Sequence, residues 1–304
     1  MEIPMSQTIS VRPVVLPAPA RGDDLQARVT APVAGENLPV VLFSHGFGFS
    51  MDAYGPIIDH WAEQGFSVVS VTHLDSASLG LAPADPRGPR IWRYRIDDLR
   101  LVLDHLDTVL VAVPGLSERV DRSRIAVAGH SYGATTASAL LGARVLAPAG
   151  DPEEDFTDSR VSAGVLLALA GLAGDELTPI ATQFFPFMNP EFGNLQAPAL
   201  LVAGDADQSV LSTRGPDWWA DAYRLTPGPK ALLTLSDAQH SLGGIHAYGT
   251  VPQTEADSPA TVALVQRVTT AYLRYALHVD AVEWDELRAP HGLGADAIGR
   301  LETR

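Results

Sequence analysis

The sequence predicts an α/β fold, with a mostly parallel central sheet and helices on both of its faces. Apolar runs of strand length alternate along the chain with amphipathic segments of helix length. Several of these runs contain no polar residue, which is typical of strands buried in a parallel sheet. The chain has 304 residues, of which 46% are hydrophobic and 19% charged, a globular balance. Alternating elements of this kind form a covered parallel sheet, and we expect one domain over residues 1–304.

The first two predicted strands differ from the rest, because proline and glycine turn signals follow each other closely between residues 8–16 and 25–31. We therefore expect them to form an antiparallel edge of the sheet. The remaining predicted strands are residues 38–43, 66–72, 124–128, 161–170, 199–203 and 231–235. The predicted helices are residues 54–63, 95–113, a small-residue helix from about Ala134, and a closing helix at 260–277.

The helix over residues 95–113 has the clearest periodicity. Six apolar side chains recur at helical spacing, which places them on one face: Ile96, Leu99, Leu103, Leu106, Leu110 and Val113. By contrast, the run at 161–170 is apolar throughout and predicts a buried strand. The predicted helix at 54–63 is followed by Gly65, a residue type that commonly ends helices.

The most informative stretch is the pentapeptide Gly129-His130-Ser131-Tyr132-Gly133. It lies between a predicted strand and a predicted helix, which is the context of the G-x-S-x-G nucleophile elbow of α/β-hydrolases. The two glycines allow a sharp turn with close strand–helix approach. Ser131 would stand at the helix N-terminus, where backbone N–H groups stabilise negative charge. Ser131 is therefore the candidate nucleophile.

A serine nucleophile needs a base and a carboxylate that orients the base, and in this fold they follow the serine in the order acid, then histidine. Asp205 and Asp207 compete for the acid position in the loop after the strand at 199–203. Asp207 lies deeper in the loop, in the position that resembles the usual hydrolase acid, and we favour it. Asp205 is then a carboxylate that organises the loop by accepting backbone N–H groups.

His240 is the favoured base among nine histidines, because it comes first after the predicted strand at 231–235. Active sites of open α/β sheets lie beyond the carboxyl ends of the strands, where this loop falls. His246, six residues further on, is the main rival. His278 and His291 are expected beyond the last core strand and are set aside.

An oxyanion hole needs two N–H donors directed at the developing alkoxide. The residue after the nucleophile, Tyr132, is expected to supply one. The other is expected from Phe47, in the glycine-rich loop that follows the strand at 38–43. This loop is neither G-x-G-x-x-G nor a Walker motif, which argues against a phosphate cradle.

Three segments resemble the platelet-activating-factor acetylhydrolase type of esterase within the α/β-hydrolase superfamily. They are residues 43–48 (FSHGFG), 71–78 (VTHLDSAS) and 129–135 (GHSYGAT). Chlorophyllase-like and bacterial polyester-hydrolase-like enzymes are close relatives in this interpretation. The resemblance implies the α/β-hydrolase fold over nearly the whole chain, and hydrolysis of carboxylic esters without a metal or an organic cofactor. The chain departs from the lipid-acting members in lacking an obvious exposed apolar helix for membrane docking.

Composition excludes several other classes of function. The chain has no cysteine, which rules out disulfides, thiolate zinc sites and cysteine nucleophiles. A net charge of −15 opposes binding to nucleic acid and to anionic membranes. No apolar run is long enough for a membrane span, and residues 1–15 do not resemble a secretory signal. A cytoplasmic location is therefore the default expectation.

Two regions lie outside the bare core. Residues 171–196 contain a group of large apolar residues that either covers the active site or packs onto the core, namely Phe184, Phe185, Phe187 and Met188. The extension 280–304, with Trp284 and Leu287, either wraps the domain or makes a homodimer contact. Phe49, Phe184, Phe185 and Trp218 are the candidate substrate-binding residues.

The predicted function is that of a serine esterase acting on a small-molecule ester, with short acyl groups favoured. A lipase, or a polyester or lactone hydrolase, would use the same three residues, because fold does not choose among them. A non-catalytic binding protein on the hydrolase scaffold is the alternative from another class. The absence of H-E-x-x-H or a similar cluster argues against metal-assisted hydrolysis.

Overall fold

The computed structural model describes residues 6–145, 154–185, 189–248, 258–294 and 298–304. The strands of these residues are β1 Thr8–Leu16, β2 Leu25–Pro32, β3 Leu38–Ser44, β4 Ser67–Thr72, β5 Val120–His130, β6 Arg144–Val145, β7 Ala163–Leu167, β8 Pro190–Glu191, β9 Ala199–Gly204, β10 Lys230–Leu235 and β11 Gly299–Thr303. The helices are α1 Gly55–Glu63, α2 Ile91–Asp104, α3 Leu106–Val111, α4 Tyr132–Leu140, α5 Pro179–Phe184, α6 Asp221–Leu225, α7 Pro259–Ala276 and α8 Val282–Leu287.

Within the described residues, the main sheet has nine strands in the order β1-β2-β4-β3-β5-β7-β9-β10-β11. The six strands from β4 to β10 are parallel to one another. β1 and β2 form the expected antiparallel edge. β3 lies between β4 and β5, although β4 follows it in the chain, so the strand order reverses there. A reversal of this kind opens a crevice at the carboxyl ends of β3 and β5, where ligands bind in open α/β sheets.

Alternate residues of each central strand enter two different cores, one on each face of the sheet. Leu42 of β3 belongs to the core beneath α2, α3 and α4, whereas its neighbours Val41 and Phe43 belong to the core beneath α1, α7 and α8. Burial on both faces explains why the strands are continuous apolar runs. The predicted α/β-hydrolase fold, with a mostly parallel sheet and helices on both faces, is confirmed.

The prediction of a single helix over residues 95–113 is wrong. The structure has two helices there, α2 and α3, separated at His105, whose backbone leaves the helical region (φ −115°, ψ 25°). Both helices bury their apolar side in the same core, as Leu99 and Val109 illustrate. A break of one residue barely shifts the apolar repeat, so periodicity alone does not reveal it.

The apolar run at 161–170 is also longer than its strand, since β7 covers only Ala163–Leu167. The residues that follow remain buried, but Ala168 turns the chain with a positive φ of 48°. The apolar composition of this run indicates burial but not strand pairing, because a buried turn can be as apolar as a buried strand.

The extension 280–304 packs on its own domain. Trp284 and Leu287 of α8 are buried in the core shared with α1 and α7. β11 then pairs antiparallel with β10, with Leu301 opposite Leu233. The expectation that His278 and His291 lie beyond the last core strand is therefore wrong, because a further strand of the sheet follows both of them.

Candidate active site

Ser131 occupies a sharp turn between β5 and α4. Its backbone has φ 55° and ψ −121°, a conformation that is unfavourable for any residue other than glycine. A Cβ atom built on Gly129 would lie 2.3 Å from the carbonyl oxygen of Gly133, and one built on Gly133 would lie 2.0 Å from that of Ser44. Only glycine fits at either position. The turn therefore projects Ser131 from the carboxyl end of the sheet.

The structure brings Ser131, His240 and Asp207 into one hydrogen-bonded chain. Ser131 Oγ lies 2.9 Å from His240 Nε2, and His240 Nδ1 lies 2.8 Å from Asp207 Oδ2. Because an ionised carboxylate only accepts hydrogen bonds, the imidazole proton belongs on Nδ1. Nε2 is then free to accept the proton of the serine hydroxyl. This is the relation that a nucleophile, base and orienting acid require.

The rival residues have other partners. Asp205 Oδ1 accepts the backbone N–H of Asp237 at 2.7 Å, which ties together the loops after β9 and β10. The His246 ring packs against Phe49 and Tyr54. Asp207 is 2% exposed, so its carboxylate faces His240 with little competition from water.

Of the two adjacent tryptophans, Trp219 rather than Trp218 borders these residues. The ring centroids of Trp219 and His240 are 4.9 Å apart, and Trp219 Nε1 donates to the Asp207 carbonyl at 2.9 Å. Trp218 is fully buried and donates to the Leu172 carbonyl at 2.7 Å. Trp218 therefore has no surface to offer a substrate, which corrects its prediction as a substrate-binding residue.

Aromatic side chains lie next to Tyr132, the residue that follows Ser131. Phe47 is 59% exposed, and its ring centroid lies 6.0 Å from that of Phe185 and 6.5 Å from that of Tyr132. Phe184 is exposed beside Phe185. Phe49 instead lines a cavity of about 400 Å³, together with His246. The predictions for Phe187 and Met188 concern positions outside the described residues.

Beneath the loop that carries Phe47 lies a buried ion pair that the sequence analysis missed. Arg95 donates to Asp75 at 2.6 Å and also to the carbonyl of His45, and its guanidinium lies 4.3 Å from the centre of the Tyr132 ring. Asp75 in turn accepts the N–H of Gly48 at 3.2 Å. Burial acts to raise the pKa of Asp75, but the Arg95 charge and the hydrogen bonds from Arg95 and Gly48 together outweigh it and hold the pKa below its ordinary value.

A second buried cluster supports the same loop. His73 Nδ1 lies 2.8 Å from Asp98, which pairs with Arg21, and His73 Nε2 lies 2.9 Å from the Ser44 hydroxyl. Burial and the charge of Arg95 lower the pKa of His73 well below its ordinary value, so its imidazole is neutral. A signal for both clusters was present in the sequence: Arg95 and Asp98 share the face of Leu99 and Val102, at helical spacing from these apolar residues.

Within the part of the chain that the structure describes, no group of three or more histidine, aspartate or glutamate side chains is arranged to hold a metal ion. Across the same residues, no helix is both long and apolar enough to cross a membrane.

Comparison with known proteins gives matches along most of the chain. The family model described as chlorophyllase matches residues 16–145, which include the loop after β3 and the turn at Ser131. The platelet-activating factor acetylhydrolases of Bos taurus and Canis lupus familiaris are each 24% identical over alignments that cover 83% of this chain and 61% of the relative. That of Cavia porcellus is 28% identical over 34% of this chain and 31% of its own length.

The chain thus spans about three fifths of the length of the bovine and canine relatives that it matches. The matched regions include the residues on which the resemblance was founded, namely the β3 loop, the segment after β4 and the serine turn. These matches and the observed fold confirm that the chain is similar to serine esterases of the α/β-hydrolase superfamily, in the group of platelet-activating factor acetylhydrolases and chlorophyllase-like proteins.

Proposed function

We propose that this protein is a serine hydrolase that cleaves carboxylic esters through an acyl-enzyme. The observation that carries the proposal is the hydrogen-bonded chain from Ser131 through His240 to Asp207. In the proposed reaction, Ser131 Oγ attacks the ester carbonyl while His240 Nε2 takes its proton. The tetrahedral intermediate collapses, the C–O bond to the alcohol breaks, and His240 protonates the departing alcohol. Water, activated by the same imidazole, then releases the acid and restores Ser131.

Asp207 keeps the His240 proton on Nδ1 and stabilises the imidazolium that forms when Nε2 is protonated. The backbone N–H groups of Phe47 and Tyr132 are the proposed oxyanion donors. Tyr132 directly follows Ser131 and is the first residue of α4, so its backbone N–H lies in the first turn of the helix, next to the proposed nucleophile. The proposed reaction requires neither a metal nor an organic cofactor.

A short acyl group is the proposed preference, with a bulky or aromatic alcohol tolerated. Phe47 and Phe184 are exposed, and Phe47 contacts the partly buried Phe185 and lies beside Tyr132, the residue after Ser131. The name of the relatives denotes removal of an acetyl group, the same class of short acyl ester. A lipase, or a polyester or lactone hydrolase, remains the alternative within this mechanism.

The test of the mechanism is turnover of p-nitrophenyl acetate by the wild-type chain and by Ser131→Ala. We expect the substitution to lower kcat by about 10⁴- to 10⁶-fold, because the nucleophile is lost. Ser138→Ala is the matched control, since this hydroxyl on the same helix is buried and donates only to the Thr135 carbonyl. A serine-directed phosphonate should label Ser131, and EDTA should leave turnover unchanged. A Ser131→Ala variant that keeps a tenth of the activity would refute the assignment.

The test of acyl length is kcat/KM across p-nitrophenyl esters from acetate to palmitate. A hydrophobic site discriminates by about 1–3 kcal/mol per methylene, so we expect a graded decline beyond short chains. A maximum at long chains, with activation at a lipid interface, would favour the lipase alternative. Absence of both turnover and labelling would favour a binding protein on this scaffold.

A further inference from the structure

We infer that Tyr54 and His130 act as a positioning pair, which fixes the loop bearing the Phe47 N–H relative to the backbone of His240. This inference rests on the proposed function, because it concerns how the proposed oxyanion donor and the proposed base are held together. Neither side chain is part of the serine, histidine and aspartate chain. His130 is the variable second residue of the G-x-S-x-G motif, and Tyr54 lies 76 residues before it.

The contact between His130 and the His240 carbonyl oxygen fixes which atom donates in each hydrogen bond of the pair. His130 Nε2 lies 2.8 Å from the His240 carbonyl oxygen, which only accepts, so Nε2 carries a proton. In a neutral ring, Nδ1 is then an acceptor, and it receives the Tyr54 hydroxyl proton at 2.9 Å. The Tyr54 oxygen in turn accepts the backbone N–H of Gly46 at 3.0 Å. The N–H of Gly46, the Tyr54 hydroxyl and the His130 Nε2–H thus each donate to one acceptor.

Burial keeps this arrangement in one protonation state. Tyr54 is fully buried and His130 is 4% exposed. Burial, followed by the charge that His240 gains when protonated, lowers the pKa of His130 well below its ordinary value. Burial also raises the pKa of Tyr54 above its ordinary value. Both side chains therefore stay neutral while His240 exchanges protons with the substrate.

The backbone around the pair is shaped to accommodate it. Tyr54 has φ 66°, a left-handed conformation that is costly for an aromatic residue and that persists where the surroundings enforce it. A Cβ atom built on Gly46 would lie 2.7 Å from the Tyr54 hydroxyl, so only glycine lets the loop descend onto it. The Tyr54 N–H also donates to the His246 carbonyl at 2.9 Å, which adds a second link to the loop after β10.

The consequence is a fixed distance between two loops that no covalent bond joins. Gly46 immediately precedes Phe47, so holding the Gly46 N–H also orients the next peptide unit. Displacements on the order of 1 Å can cost about 10²-fold in rate. The pair is thus expected to act on the transition state, through geometry, without touching the substrate.

The experiment compares Tyr54→Phe with Tyr272→Phe, each of which removes one buried hydroxyl from the same core. Among the described residues, the Tyr272 hydroxyl has no hydrogen-bond partner, so its loss should leave kinetics unchanged. We expect Tyr54→Phe to lower kcat about tenfold per active site titrated with the phosphonate, with KM within twofold, because positioning acts on the transition state. Equal kcat in the two variants would overturn the inference.

Variants of His130 supply the second arm. His130→Gln offers both a donor and an acceptor and should retain more activity than His130→Leu. If the two residues act as a unit, adding Tyr54→Phe to His130→Leu should cost little more than His130→Leu alone. Losses that multiply would show that the two residues act independently, and the pair would be rejected.

A readout without turnover separates this inference from the proposed esterase function. In ¹⁵N-histidine NMR spectra at pH 7, we expect His130 as the neutral Nε2–H tautomer, with its Nδ1 resonance displaced in Tyr54→Phe and unchanged in Tyr272→Phe. A protonated ring or the opposite tautomer would overturn the pair, whatever the activity. A wild-type chain that shows the expected tautomer but neither turnover nor Ser131 labelling would instead reject the proposed function.

Discussion

Asp205 and Asp207 lie two residues apart in the loop after β9, yet their carboxylates contact different groups. The Asp207 carboxylate is buried against His240, whereas Asp205 is exposed and holds the Asp237 N–H. An amide can still accept a backbone N–H, but it cannot keep the proton of a neighbouring imidazole on Nδ1, because it offers a donor as well as an acceptor. The same substitution therefore tests two different roles.

We predict that Asp207→Asn lowers kcat on p-nitrophenyl acetate by about 10⁴-fold, since the histidine would favour the wrong tautomer. Asp205→Asn is the matched control and should stay within a few fold of the wild type. Both are measured by initial rates with folded protein checked by circular dichroism. The reverse ranking of the two variants would transfer the acid role to Asp205.

At the scale of elements, the turn between β5 and α4 depends on the absence of two side chains. Gly133 approaches the carbonyl oxygens of Ser44 and His45, which belong to the end of β3 and the residue after it. The turn at Ser131 and the loop after β3 are thus packed backbone against backbone. A methyl group between them must displace one of the two loops.

We predict that Gly133→Ala lowers the free energy of unfolding by about 3 kcal/mol, at the upper end of the usual cost of overpacking, because rigid backbone opposes the added methyl. Gly88→Ala is the control, since a Cβ there has no atom within 4 Å and the φ is not positive. Urea unfolding of both variants measures the difference. Equal stability of the two would mean that the turn relaxes at no cost.

The C-terminal strand β11 is the other element whose role depends on packing. Its residues alternate, so that Leu301 packs against the core beneath α7 while Arg300 is exposed. β11 covers β10, and the loop after β10 carries His240. An edge strand of this kind protects the strand beside it from solvent.

We predict that Leu301→Ser lowers the free energy of unfolding by about 1–2 kcal/mol, less than for a fully buried leucine because the residue is only partly buried. Arg300→Ser, one residue away on the opposite face, should change it by no more than about 0.5 kcal/mol. Denaturant unfolding checks both values. A larger effect at Arg300 would indicate that the strand is paired in the other register.

At the scale of the whole molecule, the site is built over several buried neutral histidines. Burial and the nearby Arg95 lower the pKa of His45 to about 3, and burial is the leading cause of the lowered pKa of His73 and His130. An unfolded chain protonates these residues near pH 6.5, so acidification favours unfolding. Burial raises the pKa of Asp98 to about 7. Its proton uptake in the folded state therefore offsets part of the stability that the histidines lose on acidification.

We predict that the free energy of unfolding falls by about 2 kcal/mol between pH 7.5 and pH 5.5, the net of three histidines and one opposing carboxyl. The stability is present above the unfolded histidine pKa and is lost as the pH falls through it. Urea unfolding at a series of pH values measures the slope. His105→Gln, at an exposed position, is the control and should leave the profile unchanged. A flat or inverted profile would contradict neutral burial of these histidines.

The sequence by itself determined the chain order of the main-sheet strands from β1 to β10, the glycine-flanked turn at Ser131, and the chain order of Ser131, Asp207 and His240. These are local properties: steric limits at glycine, the apolar repeat of each element, and the loop that follows each strand. They sufficed for the fold class and for the choice of Ser131, His240 and Asp207, which the structure brings into one hydrogen-bonded chain.

Only the tertiary structure decided which of two tryptophans borders His240, where the 95–113 segment breaks, and that residues 299–303 form a strand of the sheet. It alone paired Arg95 with Asp75, and Tyr54 with His130. Each of these depends on contacts between residues distant in the chain, such as His130 with the backbone of His240, 110 positions away. Such contacts leave no periodic signal in the sequence, because their energy arises only when the sheet places separate loops side by side.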